Sequence, residues 1–329
     1  MPTIGIYDVK EFEQSYYHRA LKNYTIHLYE ESFPENPKQH DIISVFTGHD
    51  ITAELLKKHP RIKMIATRST GYDHIDLAAC KKRRVIVSNV PRYGENTVAE
   101  HAFALLLAIS RKVLPAVQRT RMGSFSREGL TGFDLKGKTA GVVGTGRIGQ
   151  HFIRMAKGFG MEVLAQDPYP NHDAATQLGF TYTSMPTLLA KADIISLHAP
   201  LTKKTRHLIG GKEISRMKKG SIIINTSRGG LINTKALLKG LMSGRIAGAG
   251  LDVLEEEDFI QEEAELLWAH DTKRIKLALQ NHVLLHMDNV LITPHNAFNS
   301  QEAVMRIMKT TVENIKAFSV GKPQNTVHA

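Results

Sequence analysis

The stretch that most constrains this chain runs Ala140-Gly-Val-Val-Gly-Thr-Gly-Arg-Ile-Gly149. Gly144, Gly146 and Gly149 form G-x-G-x-x-G, a spacing that also occurs in glycine-rich turns of unrelated α/β proteins. Its surroundings narrow the choice. The apolar run Thr139–Val143 precedes it, and Arg147–Phe159 follows with helical spacing. A second apolar run, Glu162–Ala165, leads to Asp167, eighteen residues past Gly149. Strand, glycine turn, helix, strand and acid in this order predict a βαβ unit that holds a dinucleotide.

Each residue type has a physical task. Gly144 permits the tight turn, Gly146 lets backbone approach a pyrophosphate, and Gly149 lets the helix pack on its strand. The helix start supplies unpaired N–H groups and a positive dipole end, and the flanking Arg147 and Ile148 sit on it. Asp167 can accept from ribose hydroxyls and would repel a 2′-phosphate. Pro168 and Tyr169 offer no cation to receive one, so NAD is favoured over NADP. FAD is disfavoured, because its loop usually lies near the amino terminus and here a hundred-residue module comes first.

That module alternates too. Thr3–Tyr7, Thr25–Leu28, Ile42–Val45, Lys63–Ala66 and Val85–Val87 read as strands, with helical spacing at Lys10–Leu21 and Thr52–Lys58. After the glycine loop the strands continue at Asp193–Leu197, Ser221–Asn225, Ala247–Leu251 and Val290–Ile292. Strand–helix alternation predicts parallel sheets with helices on both faces. At 329 residues, two domains are expected. Thr97–Val113 reads as one long helix ending before Pro115, Met122–Gly137 as a connection, and 301–318 as an amphipathic helix.

Composition excludes several classes. A 42% hydrophobic and 23% charged chain is globular. The single Cys80 rules out a disulfide framework and a multi-Cys zinc site, and fits a reducing compartment. The start shows no signal-peptide core, and the longest apolar run, Ala102–Ile109, is too short to span a bilayer; a cytoplasmic protein is expected. His282 and His286 stand at i, i+4 with no acid between them, so they read as a structural pair and no metal is assigned. The net charge of +11 raises a nucleic-acid reading, but no helix-turn-helix, zinc-finger or basic-region signature supports it.

Further landmarks are Arg68-Ser-Thr-Gly-Tyr-Asp-His-Ile-Asp76, Asn89-Val-Pro-Arg-Tyr93, Val98-Ala-Glu-His101, Asn225-Thr-Ser-Arg-Gly229, Leu251-Asp-Val-Leu-Glu-Glu-Glu257 and Thr293-Pro-His-Asn-Ala-Phe298. With the glycine loop, and in this order, they make the chain resemble the D-isomer-specific 2-hydroxyacid dehydrogenases over nearly its whole length. The resemblance implies two doubly wound parallel-sheet α/β domains, a Rossmann coenzyme domain inserted into a flavodoxin-like substrate domain. Residues 1–98 plus 299–329 would form the substrate side and residues 99–298 the NAD-binding domain, with the cleft between them. It also implies a homodimer.

The resemblance assigns catalysis to Arg228, Glu257 and His295. His295 would be the acid in reduction and the base in oxidation, Glu257 its carboxylate partner, and Arg228 the planar fork for the substrate's carboxylate and ketone oxygen. Thr70 and Gly71 would bind the substrate carboxylate through their amides, and Tyr93 and Phe298 are candidate pocket residues that could equally be packing. His198, Pro200, Thr205, Thr226, Ser227 and Asp252 resemble coenzyme contacts; Asp252 could meet the nicotinamide or only orient its loop. Asn296 stands where the family usually has a smaller or apolar residue. The long segment between Glu257 and His295 favours the lactate-type branch, hence pyruvate and D-lactate as substrates. Glyoxylate, hydroxypyruvate or a bulkier 2-keto acid is the enzymatic alternative. An NAD-sensing, corepressor-like interaction protein is the alternative without chemistry.

Overall fold

The computed structural model describes residues 2–31, 33, 38–48, 50–255 and 272–328. In chain order the first elements are β1 (Thr3–Ile6), α1 (Glu11–Ala20), β2 (Thr25–Leu28), β3 (Ile42–Val45), α2 (Ala53–Lys58), β4 (Met64–Thr67), α3 (Leu77–Lys82) and β5 (Ile86–Ser88). The five strands pair in parallel in the order β2-β1-β3-β4-β5. Strand alternation divides their side chains between two cores. Ile4, Ile6, Ile42, Met64 and Ala66 face one side, and Tyr7, Ile43, Val45 and Ile65 the other.

The chain then runs through α4 (Glu95–Ser110), α5 (Val113–Arg121), β6 (Thr139–Val143), α6 (Arg147–Gly158), β7 (Glu162–Gln166), α7 (His172–Leu178), β8 (Thr181–Tyr182), α8 (Met185–Lys191) and β9 (Ile194–Leu197). It continues with α9 (Gly211–Arg216), β10 (Ser221–Asn225), a 3-10 turn at Gly229–Leu231, α10 (Thr234–Met242), β11 (Ile246–Leu251), α11 (Thr272–Leu285) and β12 (Val290–Ile292). These strands form a second parallel sheet, β12-β11-β10-β9-β6-β7-β8. Ile222 and Ile224 enter one core with α4 and α6, while Ile223 between them enters the other with α8 and α10. Such near-continuous burial is what a strand covered on both faces requires.

The last helix, α12 (Gln301–Ser319), returns to the first sheet and buries Val304, Met308, Val312 and Ile315 beside Ile4 and Ile6. The chain thus forms two compact units, Met1–Tyr93 with Ser300–Ala329 and Gly94–Asn299. Among the described residues no helix is long and apolar enough to cross a membrane.

Two readings of local structure change. The helix expected over Thr97–Val113 breaks at Lys112, whose φ of 51° is left-handed. A new helix, α5, starts at Val113, and Pro115 lies in its first turn, where a missing N–H leaves no helical hydrogen bond unmade. The segments α7, β8 and α11 were not read from the sequence. β8 is two residues long, and α7 offers only Ala174, Ala175 and Leu178 as apolar residues, too few to mark a face.

Candidate active site

All seven strands of the second sheet run parallel, so their carboxyl ends share one edge. The order from β8 inward to β6 and then out through β9 reverses between β6 and β9. That is the topological switch point at which open α/β sheets take ligands.

The glycine loop lies there. Gly144 has φ of 94°, which only glycine adopts without strain, and a Cβ on it would collide with the carbonyl oxygen of His198 on the neighbouring strand's loop. A Cβ on Gly149 would collide with the Gly144 carbonyl, so its absence lets α6 sit tightly on β6. At Gly146, which caps α6, an added Cβ would meet nothing within 4 Å. Backbone there faces open space at the head of a twelve-residue helix, where unpaired N–H groups favour an anion. Ile148 half-buries itself against the α4–α6 core, and the exposed Arg147 pairs with Glu95 at 3.8 Å. Asp167 follows β7. Its carboxylate accepts from Thr145 N at 2.7 Å, Thr145 Oγ1 at 3.1 Å and Tyr169 N at 2.8 Å. These bonds fix an acid beside the loop. The residues therefore fit a dinucleotide: an open glycine backbone, a helix head and a held carboxylate at one switch point.

The other coenzyme candidates line the same edge. The His198 ring turns inward, 5.1 Å from the Phe152 ring centroid, with Nε2 2.9 Å from Ser196 Oγ and Nδ1 buried without a hydrogen-bond partner. Burial pushes its pKa down to about 3, so the imidazole brings no positive charge to a phosphate. What His198 presents beside Gly144 is backbone. Beyond it, Thr205 Oγ1 donates to the Pro200 carbonyl at 2.6 Å and shapes the loop. Ser227 Oγ donates to Leu197 O at 2.8 Å, stitching the β10 loop to β9. Thr226 Oγ1 is buried with no hydrogen-bond partner, a deficit that a polar group arriving at this edge would relieve.

Arg228 follows β10 and half-buries its side chain, with Nη1 donating to Ser227 O at 2.8 Å. His295 follows β12. Its φ is 51°, an unusual conformation for a non-glycine residue and one that must be held by its surroundings. The holder is Asp252, at the end of β11 and fully buried. The Asp252 carbonyl accepts from His295 N at 2.9 Å. Its carboxylate accepts from Asn296 N and Ala297 N, each at 2.8 Å, and from Thr293 Oγ1 at 2.5 Å. Of the two roles weighed for Asp252, these contacts are those of a residue that orients its loop. The sequence alone did not mark His101 or Thr293 for this cluster, although both stand in the quoted landmarks. His101 Nε2 lies 3.0 Å from Thr293 Oγ1 and 3.5 Å from Asp252 Oδ1.

Thr70 and Gly71 follow β4 in the first unit, where Thr70 Oγ1 donates to Val90 O at 2.8 Å and Ser69 Oγ to Gly71 O at 2.6 Å. Tyr93 closes the first stretch of that unit and Phe298 belongs to the second unit. Glu257 lies outside the described residues. The His282 and His286 rings lie 4.4 Å apart, tilted by 40°, at the end of α11, with His286 Nδ1 2.8 Å from the His282 carbonyl oxygen.

Residues 103–297 match the family D-isomer specific 2-hydroxyacid dehydrogenase, NAD binding domain. The chain is 37% identical to D-lactate dehydrogenase of Escherichia coli strain K12, with 97% of each chain covered. The chain belongs to this family. It is an NAD-dependent D-2-hydroxyacid dehydrogenase, and the two parallel-sheet units are the family's fold. Glyoxylate reductase of Thermococcus litoralis is 38% identical, over 89% of this chain and 85% of its own. Among solved structures, D-lactate dehydrogenase from Aquifex aeolicus complexed with NAD and lactic acid superposes with a TM-score of 0.87, at 38% identity, covering 97% of this dehydrogenase and 96% of that chain.

Proposed function

We propose that this dehydrogenase reduces a small 2-keto acid to the D-2-hydroxy acid, with pyruvate to D-lactate as the preferred pair. The observation that carries the reading is the His295 loop, held in a left-handed conformation by a fully buried carboxylate at the ligand edge of a dinucleotide sheet. Bound NADH supplies the hydride that adds to the carbonyl carbon. As the carbonyl π pair moves onto oxygen, His295 in its imidazolium form gives that oxygen a proton and is left neutral. In the oxidative direction the neutral ring takes the hydroxyl proton. Arg228 offers paired donors to the substrate's carboxylate and to the oxygen where charge develops, fixing orientation and stabilising that charge. Glu257 is assigned the other ring nitrogen of His295, where its charge would favour the imidazolium. The amides of Thr70 and Gly71 are assigned the substrate carboxylate, and Tyr93 and Phe298 the substrate side chain.

The lactate reading is supported by the likeness to D-lactate dehydrogenases over nearly the full chain. The similarity to glyoxylate reductases keeps glyoxylate and hydroxypyruvate as the second choice. NADH and NADPH oxidation across pyruvate, glyoxylate, hydroxypyruvate and bulkier 2-keto acids tests both. Highest kcat/KM for pyruvate with NADH supports the first reading. Highest kcat/KM for glyoxylate replaces it with the second.

A homodimer in the cytoplasm completes the proposal. Helix α5 has no buried residue and leaves Val113, Leu114 and Val117 exposed, followed by Met122 and Phe125. An apolar surface of this kind supports burial against a second copy. Sedimentation at the monomer mass would reject the dimer. A single, buried Cys80 suits a reducing compartment.

A further inference from the structure

We propose that His101 is a positioning residue for the His295 loop, acting through Thr293 and Asp252. The inference rests on the assignment of His295 as the proton donor.

Hydrogen-bond bookkeeping sets the direction of the link. Asp252 is fully buried and its carboxylate only accepts. Asn296 N and Thr293 Oγ1 both donate to Oδ1, and Ala297 N donates to Oδ2. Thr293 has one hydroxyl proton, and at 2.5 Å from the carboxylate that proton is committed to Oδ1. Its oxygen therefore faces His101 as an acceptor, and His101 Nε2, 3.0 Å away, carries the proton between them. Nε2 also lies 3.5 Å from Asp252 Oδ1, close enough for the two groups to attract through charge as well as through Thr293.

The consequence is mechanical. Helix α4 carries His101 and is anchored in its core by Ala99, Ala102, Phe103 and Leu106. Thr293 begins the turn that Pro294 continues and His295 ends. The three groups clamp both ends of that turn: Thr293 through His101, and Asn296 and Ala297 through Asp252. A left-handed residue reverts to ordinary backbone unless its neighbours hold it. His101 fixes the Thr293 side of that hold, and among the described residues its polar partners are Thr293 and Asp252.

The experiment compares wild type, His101→Leu, His101→Gln, Thr293→Val and His295→Ala with the best 2-keto acid of the panel, together with NADH titration and thermal melting. His101→Leu should lower kcat by about 10- to 100-fold, since misplacing a reacting group by about 1 Å costs up to that much. NADH affinity should be unchanged. His101→Gln, whose amide nitrogen can donate from the Nε2 position, should restore most of the rate. Thr293→Val should lower kcat as His101→Leu does, and it decides the matter if the leucine variant does not fold. Wild-type kcat in both His101→Leu and Thr293→Val, with His295→Ala inactive, overturns the positioning role alone. Equal loss in His101→Leu and His101→Gln overturns it too, because the donor would then be irrelevant. Wild-type turnover in His295→Ala overturns the catalytic assignment, and the positioning role with it.

Discussion

The two sheets share one design and treat their switch points in opposite ways. In the first sheet the strand order reverses between β1 and β3. Arg68, at the end of β4, reaches across the end of β3 to that point and donates to the Tyr7 and Asp8 carbonyls. Its guanidinium also pairs with Glu13 at 3.6 Å and lies 5.8 Å from the Phe46 ring centroid. Arg68 is 3% exposed and Glu13 is 7% exposed. Among the described residues, the equivalent point of the second sheet has no such plug. Glycines draw backbone against backbone there and leave the head of α6 open. A doubly wound sheet offers a crevice by topology, and the side chains at its edge decide whether the crevice is filled by the protein or kept for a ligand.

The comparison can be broken in several places. The largest effect should come from His295→Ala, which is expected to lower kcat by about 100- to 10,000-fold while leaving NADH affinity unchanged. Steady-state kinetics with an NADH titration check it. Arg68→Ala should leave the buried Glu13 carboxylate with the Lys10 N–H but without its cationic partner, and destabilise the protein by about 3–5 kcal/mol in denaturant melts. NADH affinity of the folded variant should be unaltered; a lost affinity would mean that the two edges are not independent. Asp167→Ala should reduce the preference for NADH over NADPH by about tenfold, the scale of one charge-assisted hydrogen bond. The ratio of kcat/KM values for the two coenzymes measures this, and an unchanged ratio would remove the ribose contact.

The smallest effect concerns acid. Burial holds the pKa of His198 near 3 in the folded protein, against 6.5 for an unburied histidine. Burial, the largest cause, also lowers His40 in the first unit, and the neighbouring His27 adds to it. Below pH 6.5 the unfolded chain binds protons that these folded rings refuse. Stability from both is therefore complete above 6.5 and falls as pH drops towards the folded values. Melting temperatures of His198→Leu should decline less between pH 6.5 and 4 than those of wild type. Parallel declines would show that the ring is already solvated in the folded state.

Legibility from the sequence followed distance along the chain. The glycine loop and Asp167 lie within one βαβ unit, and their glycines have a local steric reason, so the pattern alone located them. Weakly apolar elements escaped: α7 offers only Ala174, Ala175 and Leu178 to mark a buried face, and the break at Lys112 is a backbone reversal inside an otherwise continuous helix pattern. The support of His295 was invisible for another reason. His101 and Thr293 are 192 residues apart, and Asp252 joins His295 only because β11 and β12 are neighbours in the sheet. Motif spacing names the histidine and says nothing of what holds it at φ of 51°.

The return of α12 to the first sheet has a consequence for biosynthesis. Asn314 donates to Asn89 O across 225 residues of chain, and Ser88 donates to Gln324 O across 236. The core containing Ile4 and Ile6 lacks one wall until residues 301–319 have been made. The second unit is contiguous from Gly94 to Asn299 and has every strand of its sheet at hand before that. On the ribosome, then, residues 94–299 are equipped to fold before the unit that flanks them in sequence. Residues 1–93 must wait for residues 300–329, a delay in which β1 and β3 depend on the sheet's other face for cover.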